Sequence, residues 1–338
     1  MRKIEPWQLE QRLSLPLDIK IKLSQERIRS FYNSLNGNVY VSIDGKDSNV
    51  LLHLVRSIFP NVKAMHVLTG VGFKANTEQL KQLSNIEFMR PKKSFFQVIR
   101  EGNLPFPTKQ QSHFIHQCQT GKSEKLKKRL MTGYMEDGTK TQFCISKKWR
   151  WLVNSRFKCS DKCCNILKKE PIKRFEKETG LKPFTGTMVE ESNQRKFKYL
   201  KDGCNVFEGS YIHSTPIAFW TEQDVLEYTL RYNLNLSKAY GNIIRNEDGN
   251  LEVTGYKRTG CAGCPYGVHL EKYPNRYQIM SVKDPELYDL YINKCEIGEV
   301  LRESGINVDP MERLEEPTEQ ATSIPLNTKV LSILEVFI

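Results

Sequence analysis

Val39-Tyr40-Val41-Ser42-Ile43-Asp44-Gly45-Lys46-Asp47-Ser48, running into Asn49-Val50-Leu51-Leu52-His53-Leu54-Val55-Arg56-Ser57-Ile58-Phe59, is the stretch that decides the fold. Residues 39–43 are a short β-branched run, the pattern of a strand buried on both faces. Residues 49–59 have helical apolar spacing and must stop before Pro60. Strand, polar loop and helix therefore follow in immediate succession. Working outward, Lys63–Leu68 reads as a second strand, Asn76–Leu83 as a helix and Ile86–Met89 as a third strand. That alternation predicts an α/β fold, a parallel sheet with helices on both faces. Upstream, residues 1–37 read as a helical extension closed by the turn Asn36-Gly37-Asn38. Downstream, residues 100–170 are helix-rich and basic without alternation, and read as an insertion in a nucleotide-binding α/β domain spanning 38–235. Within that domain Leu181–Val189 regains strand character, and Thr221–Tyr232 opens a helix on a Thr cap. A C-terminal region, 236–338, is expected to be loop-like after Cys264, then helical over Glu286–Cys295 and Gly298–Glu303. Its apolar end, VLSILEVFI, is expected to pack as a terminal strand or helix.

Composition narrows the function classes. With 338 residues, 39% hydrophobic and 27% charged, the chain has material for two domains or one large one. No apolar run approaches the roughly 20 residues of a membrane span. The N-terminal MRKIEPWQLEQRLSL scatters charge where a secretion signal needs an unbroken apolar stretch. The net charge of +12 points to an anionic partner, a nucleotide or nucleic acid, or else to a solvated basic surface. The cations are spread along the chain, densest in KSEKLKKR at Lys122–Arg129. Nine cysteines, an odd number without a secretion signal, suggest a reducing cytoplasm and metal, iron–sulfur or redox chemistry rather than disulfides.

The loop after the first strand carries phosphate chemistry. Backbone N–H groups at a strand-to-helix turn, aided by the helix dipole, bind anions. Gly45 admits a close approach, Lys46 adds charge, Ser48 offers a hydroxyl, and Asp47 can cap the helix or hold a metal beside the phosphates. The GxxxxGK[ST] pattern is absent. The order Gly-Lys-Asp-Ser is instead similar to the pyrophosphate (PP) loop of the adenine-nucleotide α-hydrolase superfamily, with Ser42 able to fill the place of that pattern's first Ser. Asp44 sets a carboxylate where phosphates would lie, which costs free energy unless a metal or lysine screens it.

The cysteines form two close pairs, Cys163-Cys164 and Cys261-Ala262-Gly263-Cys264, with 96 residues between them. Four thiolates can hold a tetrahedral zinc ion or a four-iron four-sulfur cluster. Adjacent cysteines suit one zinc poorly, because their side chains diverge. The remaining cysteines read as packing residues or surface thiols, and Cys159 as a substitute ligand.

With the CC-x₃-K-x₂-P run at Cys163–Pro171, these features make the chain resemble the phosphoadenylyl-sulfate (PAPS) reductase family, and within it the reductase-like proteins of phages and mobile elements. Further motifs run from about residue 38 to about 305, among them Gly186-Thr187-Met188-Val189-Glu190-Glu191-Ser192 with Arg195, Trp220–Val225, and Arg258-Thr259-Gly260 before Cys261. The resemblance implies a [4Fe–4S] cluster on Cys163, Cys164, Cys261 and Cys264, with zinc as the alternative. It implies ATP or adenylyl sulfate, with Mg²⁺, bound by Ser42, Gly45, Lys46, Asp47, Ser48 and Arg258. Lys46, Asp47, Glu191 and Arg195 are its candidate catalytic residues. Two arginine forks, Arg195 and Arg258, suit a sulfate or phosphate.

The family's reductases carry a nucleophilic cysteine in a C-terminal tail, whereas no Cys follows Cys295 here. The first functional expectation is therefore adenylyl transfer from ATP with loss of pyrophosphate, coupled to sulfur transfer. A nucleic-acid acceptor and a sulfur-donor protein would be its partners. The second is a thiol-dependent sulfonucleotide reductase taking its thiol from elsewhere, such as Cys204. The third is a non-catalytic nucleotide-binding module.

Overall fold

A computed structural model describes residues 4–313. The apolar end VLSILEVFI lies outside the described residues. The chain opens with helices α1 (Pro6–Leu13) and α2 (Leu17–Ser34), then β1 (Val39–Ser42). Helix α3 (Lys46–Arg56), β2 (Lys63–Val67), α4 (Lys74–Lys81) and β3 (Ile86–Met89) follow. The insertion contains α5 (Phe95–Arg100), α6 (Lys109–Thr120), α7 (Glu124–Thr132), a 3₁₀ helix at Lys147–Asn154 and a π-helical turn at Asn165–Lys169. Next come α8 (Glu170–Thr179), β4 (Lys182–Thr185), α9 (Asn193–Asp202), β5 (Asn205–Val206), β6 (His213–Ser214) and α10 (Glu222–Arg231). A hairpin, β7 (Ile243–Arg245) with β8 (Leu251–Val253), precedes α11 (Arg276–Lys283), α12 (Pro285–Tyr288) and α13 (Glu296–Glu303).

The main sheet has the order β3-β2-β1-β4-β6-β5, parallel throughout except for β5. Alternation on β1 sends Val39 and Val41 into one core with Phe31, Val50, Leu54 and Phe184, while Tyr40 turns to Phe175 of α8 on the other face. The chain steps outward from β1 through β2 to β3, then returns to the other side of β1 with β4. The β1/β4 boundary is thus the switch point at which open α/β sheets form a crevice beyond their carboxyl ends.

A second core unites segments far apart in sequence. Val98, Ile115, Trp149 and Leu167 of the insertion pack with Tyr277, Tyr291, Ile297 and Leu301 of the C-terminal region. The insertion and the C-terminal region are therefore two halves of one lobe.

Several boundaries differ from the sequence reading. Helix α3 begins at Lys46 rather than Asn49, because Gly45 is the extended N-cap and the Ser48 hydroxyl accepts from the Asp44 and Gly45 N–H groups. It ends at Arg56, and α4 is likewise shifted, to 74–81. The strand expected over 181–189 stops at Thr185, and Gly186 after it packs against the first turn of α3, where a Cβ would lie 2.9 Å from the Ser48 backbone nitrogen. The expected 286–295 helix is a short α12 followed by a π turn at Asp289–Asn293, and Cys295 precedes α13 as its N-cap. Strands β5 to β8 are two or three residues long and gave no periodic signal.

Candidate functional site

The residues at the switch point enclose a cleft of about 670 Å³. Its walls are the loop Asp44–Ser48 after β1, the segment Thr185–Met188 after β4, Glu191 and Arg195, the start of α10 at Glu222, Tyr240, and Lys257–Gly260. All of the expected nucleotide-binding residues, Ser42, Gly45, Lys46, Asp47, Ser48 and Arg258, line it. So do the candidate catalytic residues Glu191 and Arg195.

Lys46 is buried, its Nζ 3.0 Å from Glu222 and donating to the Lys257 carbonyl at 3.1 Å. Its backbone N–H donates to the Tyr240 hydroxyl at 2.8 Å, which also accepts from Thr259. Asp47 is not the helix cap expected of it: it sits in the first turn of α3, with Oδ1 buried and no hydrogen-bond partner. Lys46 Nζ, at 3.9 Å from that oxygen, is within ion-pair range but beyond hydrogen bonding. Burial raises the Asp47 carboxyl above the usual carboxylate range against the pull of Lys46, with Glu222 adding to the rise and Arg195 and Arg258 opposing it. The Arg195 guanidinium is lowered by burial and by Arg258, so three cations and one unsatisfied carboxylate converge. Buried polar atoms are normally satisfied, and an orphan calls for a ligand or ion.

Other expected residues have local duties. Glu191 accepts from the Met188 N–H at 3.1 Å and pairs with Arg195 four residues on, bracing the turn at Val189–Glu191. The Ser48 hydroxyl is committed to its own loop, accepting from two N–H groups and donating to the Gly45 carbonyl at 2.9 Å. Glu222, Tyr240 and Lys257 were missed by sequence reasoning. They lie about 180 to 210 residues from the loop, and only the fold brings them to it.

Asp44 finds the screening cation its position requires. Lys168 Nζ bonds to its Oδ2 at 2.9 Å. Burial alone would lower the Lys168 pKa, but Asp44, Cys261 and Cys164 outweigh it and hold the ammonium charged. This side chain joins the nucleotide loop to the cysteines.

The two cysteine pairs meet in the second lobe. Burial raises the Cys163 thiol, with Cys261, Cys164 and Cys264 adding to the rise. Burial likewise pushes Cys261 up to about 12, against Lys168 and with Cys264 and Cys164. Cys264 is raised by burial and by Cys164, and its carbonyl accepts from Arg276 at 2.6 Å. Gly263 is required between them, because a Cβ there would lie 2.2 Å from the Tyr291 ring. Among the described residues, no three or more His, Cys, Asp or Glu stand in an arrangement that would hold a single metal ion. Cys204 lies apart in the main core, its thiol raised by burial, and is absent from the cleft lining. No described helix is long and apolar enough to cross a membrane.

No curated protein matches this chain. A solved structure, phosphoadenylyl-sulfate (PAPS) reductase from Candida auris in a phosphate complex, is similar at a TM-score of 0.37 and 14% identity, covering 70% of this chain and 91% of that one. The family model described as the phosphoadenosine phosphosulfate reductase domain matches residues 108–266. That segment begins beyond the Asp44–Ser48 loop and contains both cysteine pairs, β4, Arg195 and Arg258. The chain is thus similar to that domain over just under half of its length.

Proposed function

We propose that the chain binds an adenine nucleotide in the cleft at the β1/β4 switch and acts at its α-phosphate. The observation that carries this reading is the buried, unpartnered Asp47 oxygen, set on the loop after β1 among Lys46, Arg195 and Arg258. Cations arranged this way neutralise phosphate charge. An oxygen of the acceptor attacks the α-phosphorus of ATP. The bond from that phosphorus to the bridging oxygen breaks, and pyrophosphate leaves with the electron pair. The acceptor's proton passes to solvent. A sulfur nucleophile from a donor protein then bonds to the acceptor carbon that carries the adenylylated oxygen; the carbon–oxygen bond breaks and AMP leaves with that oxygen and the electron pair. Asp47 would hold a Mg²⁺ ion arriving with the nucleotide.

Cys163, Cys164, Cys261 and Cys264 would hold a [4Fe–4S] cluster. The donor set fits: the thiols of Cys163, Cys261 and Cys264 are each raised by burial and by neighbouring thiols, Cys164 among them, with Lys168 and Arg276 beside them to offset thiolate charge. A cluster spaces its ligands more widely than one ion does, which suits adjacent cysteines. When bound, such a cluster supplies a redox-capable, sulfur-rich centre next to the nucleotide loop.

The family match favours a second reading, thiol-dependent reduction of adenylyl sulfate or phosphoadenylyl sulfate. Anaerobically purified protein incubated with labelled ATP distinguishes them. Labelled pyrophosphate supports adenylyl transfer. Sulfite released from adenylyl sulfate in the presence of a thiol, without pyrophosphate from ATP, supports the reductase. Nucleotide bound with neither product leaves a binding module.

A further inference from the structure

The net charge is not spread over the molecule. From the start of α6 at Lys109 to the end of the π-helical turn at Lys169, fifteen Lys and Arg stand against four Asp and Glu. The rest of the chain carries 36 against 35, so this segment holds nearly the whole excess of +12. Few of its cations are consumed. Among the described residues its ion pairs with carboxylates involve Lys125, Lys127, Arg156, Lys168 and His113. Lys109, Lys122, Lys128, Lys140, Lys147 and Lys148 are exposed and have no such partner among the described residues.

Three cations of this segment line a groove, with Lys122 just before α7 and Lys140 just after the facing turn. Lys125, Lys128 and Arg129 share one face of α7 at i, i+3 and i+4, and they line an open cavity of about 790 Å³. The facing wall is the Tyr134–Asp137 turn, where Tyr134 is 53% exposed, Glu136 pairs with Lys125 across the groove and Asp137 is the second carboxylate. Phe143, 63% exposed, follows in the same insertion. Arg129 Nε is buried in the cavity wall without a hydrogen-bond partner. Nothing in the cleft chemistry uses these groups. A basic wall in which Lys128 and Arg129 have no carboxylate partner among the described residues, facing an exposed aromatic rim, matches a partner with regularly repeated negative charge and stackable rings. An acidic peptide would meet the charge but leave the aromatics unexplained.

We infer that the insertion binds single-stranded nucleic acid along α7 and the Tyr134–Lys140 turn. The inference deepens the acceptor side of the adenylyl-transfer reading, yet its observations are independent of the cleft. Lys168, at the end of the same insertion, bonds to Asp44 of the nucleotide loop.

Fluorescence anisotropy with a labelled oligothymidylate of about 20 nucleotides tests this. Binding is expected to weaken steeply with salt. The triple variant Lys122→Ala, Lys128→Ala, Lys140→Ala should bind about tenfold or more weakly and flatten the log–log salt dependence by about 2. Tyr134→Ala should lose about fivefold or more while keeping the salt slope. All four side chains are exposed, and unchanged melting and ATP affinity would show that the variants fold. Absence of binding at low salt, wild-type affinity in the triple variant, tighter binding of a duplex of equal length, or displacement by polyglutamate at equal charge would each overturn it. Because ATP binding is read separately, loss of this surface leaves the adenylyl-transfer reading standing with a different acceptor.

Discussion

Asp47 shows how a single carboxyl can be placed against its own stability. Its oxygen is buried without a hydrogen bond, and burial raises its pKa. A carboxyl raised in the folded state contributes stability that is complete below the unfolded pKa, about 4, and is lost as pH rises through the folded value. Asp47→Asn cannot ionise and escapes that loss. The variant is therefore expected to melt higher than wild type at pH 7, with the difference shrinking towards pH 4. A variant that is less stable at pH 7 would show that the ionised carboxylate is satisfied in solution. Asp44, by contrast, is screened by Lys168. The loop was legible in the sequence because its chemistry is local, a glycine, a lysine and a hydroxyl within four positions. Lys168 was visible only as part of a family pattern, and its pairing with Asp44 depends on tertiary structure.

Between elements, the first turn of α3 and the end of β4 are in direct contact. A methyl added at Gly186 would stand 2.9 Å from the Ser48 nitrogen and 3.0 Å from the Asp47 carbonyl carbon, both backbone atoms that cannot swing aside. Gly186→Ala should cost about 1–3 kcal/mol in denaturant unfolding and weaken nucleotide binding, because it displaces the loop. Wild-type stability would place the two segments farther apart. The Lys168–Asp44 pair is partly exposed, so Lys168→Ala should change stability by no more than about 1 kcal/mol. It should nonetheless weaken ATP binding several-fold, since Asp44 would then face the phosphates unscreened; unchanged affinity would remove Lys168 from the site. The first three strands were readable from apolar runs and their alternation with helices. Strands β5 to β8 were not, since a two- or three-residue strand has too few positions to show a period.

At the scale of the whole molecule, the two-core arrangement accounts for cysteines 96 residues apart sharing one neighbourhood. The sequence reading recognised the pairs and their grouping from spacing and resemblance, but treated the insertion and the C-terminal region separately. Nothing local to either segment reveals that Leu167 and Tyr291 belong to one core. If the thiols hold a cluster, Cys164→Ala purified anaerobically should lose the broad absorbance near 400 nm and most of its iron. It should also melt lower than wild type, because bound metal stabilises the fold that binds it. Equal iron and equal melting in wild type and variant would exclude Cys164 as a ligand. The chemistry assigned to this molecule requires the switch-point cleft to be an adenine-nucleotide site. Calorimetric titration of anaerobic protein with ATP and with adenylyl sulfate, in wild type and in Lys46→Ala, tests this most directly. Saturable binding of at least one nucleotide, weakened about tenfold or more by the substitution, is the expected result. Binding of neither nucleotide, or equal affinity in Lys46→Ala, would contradict it.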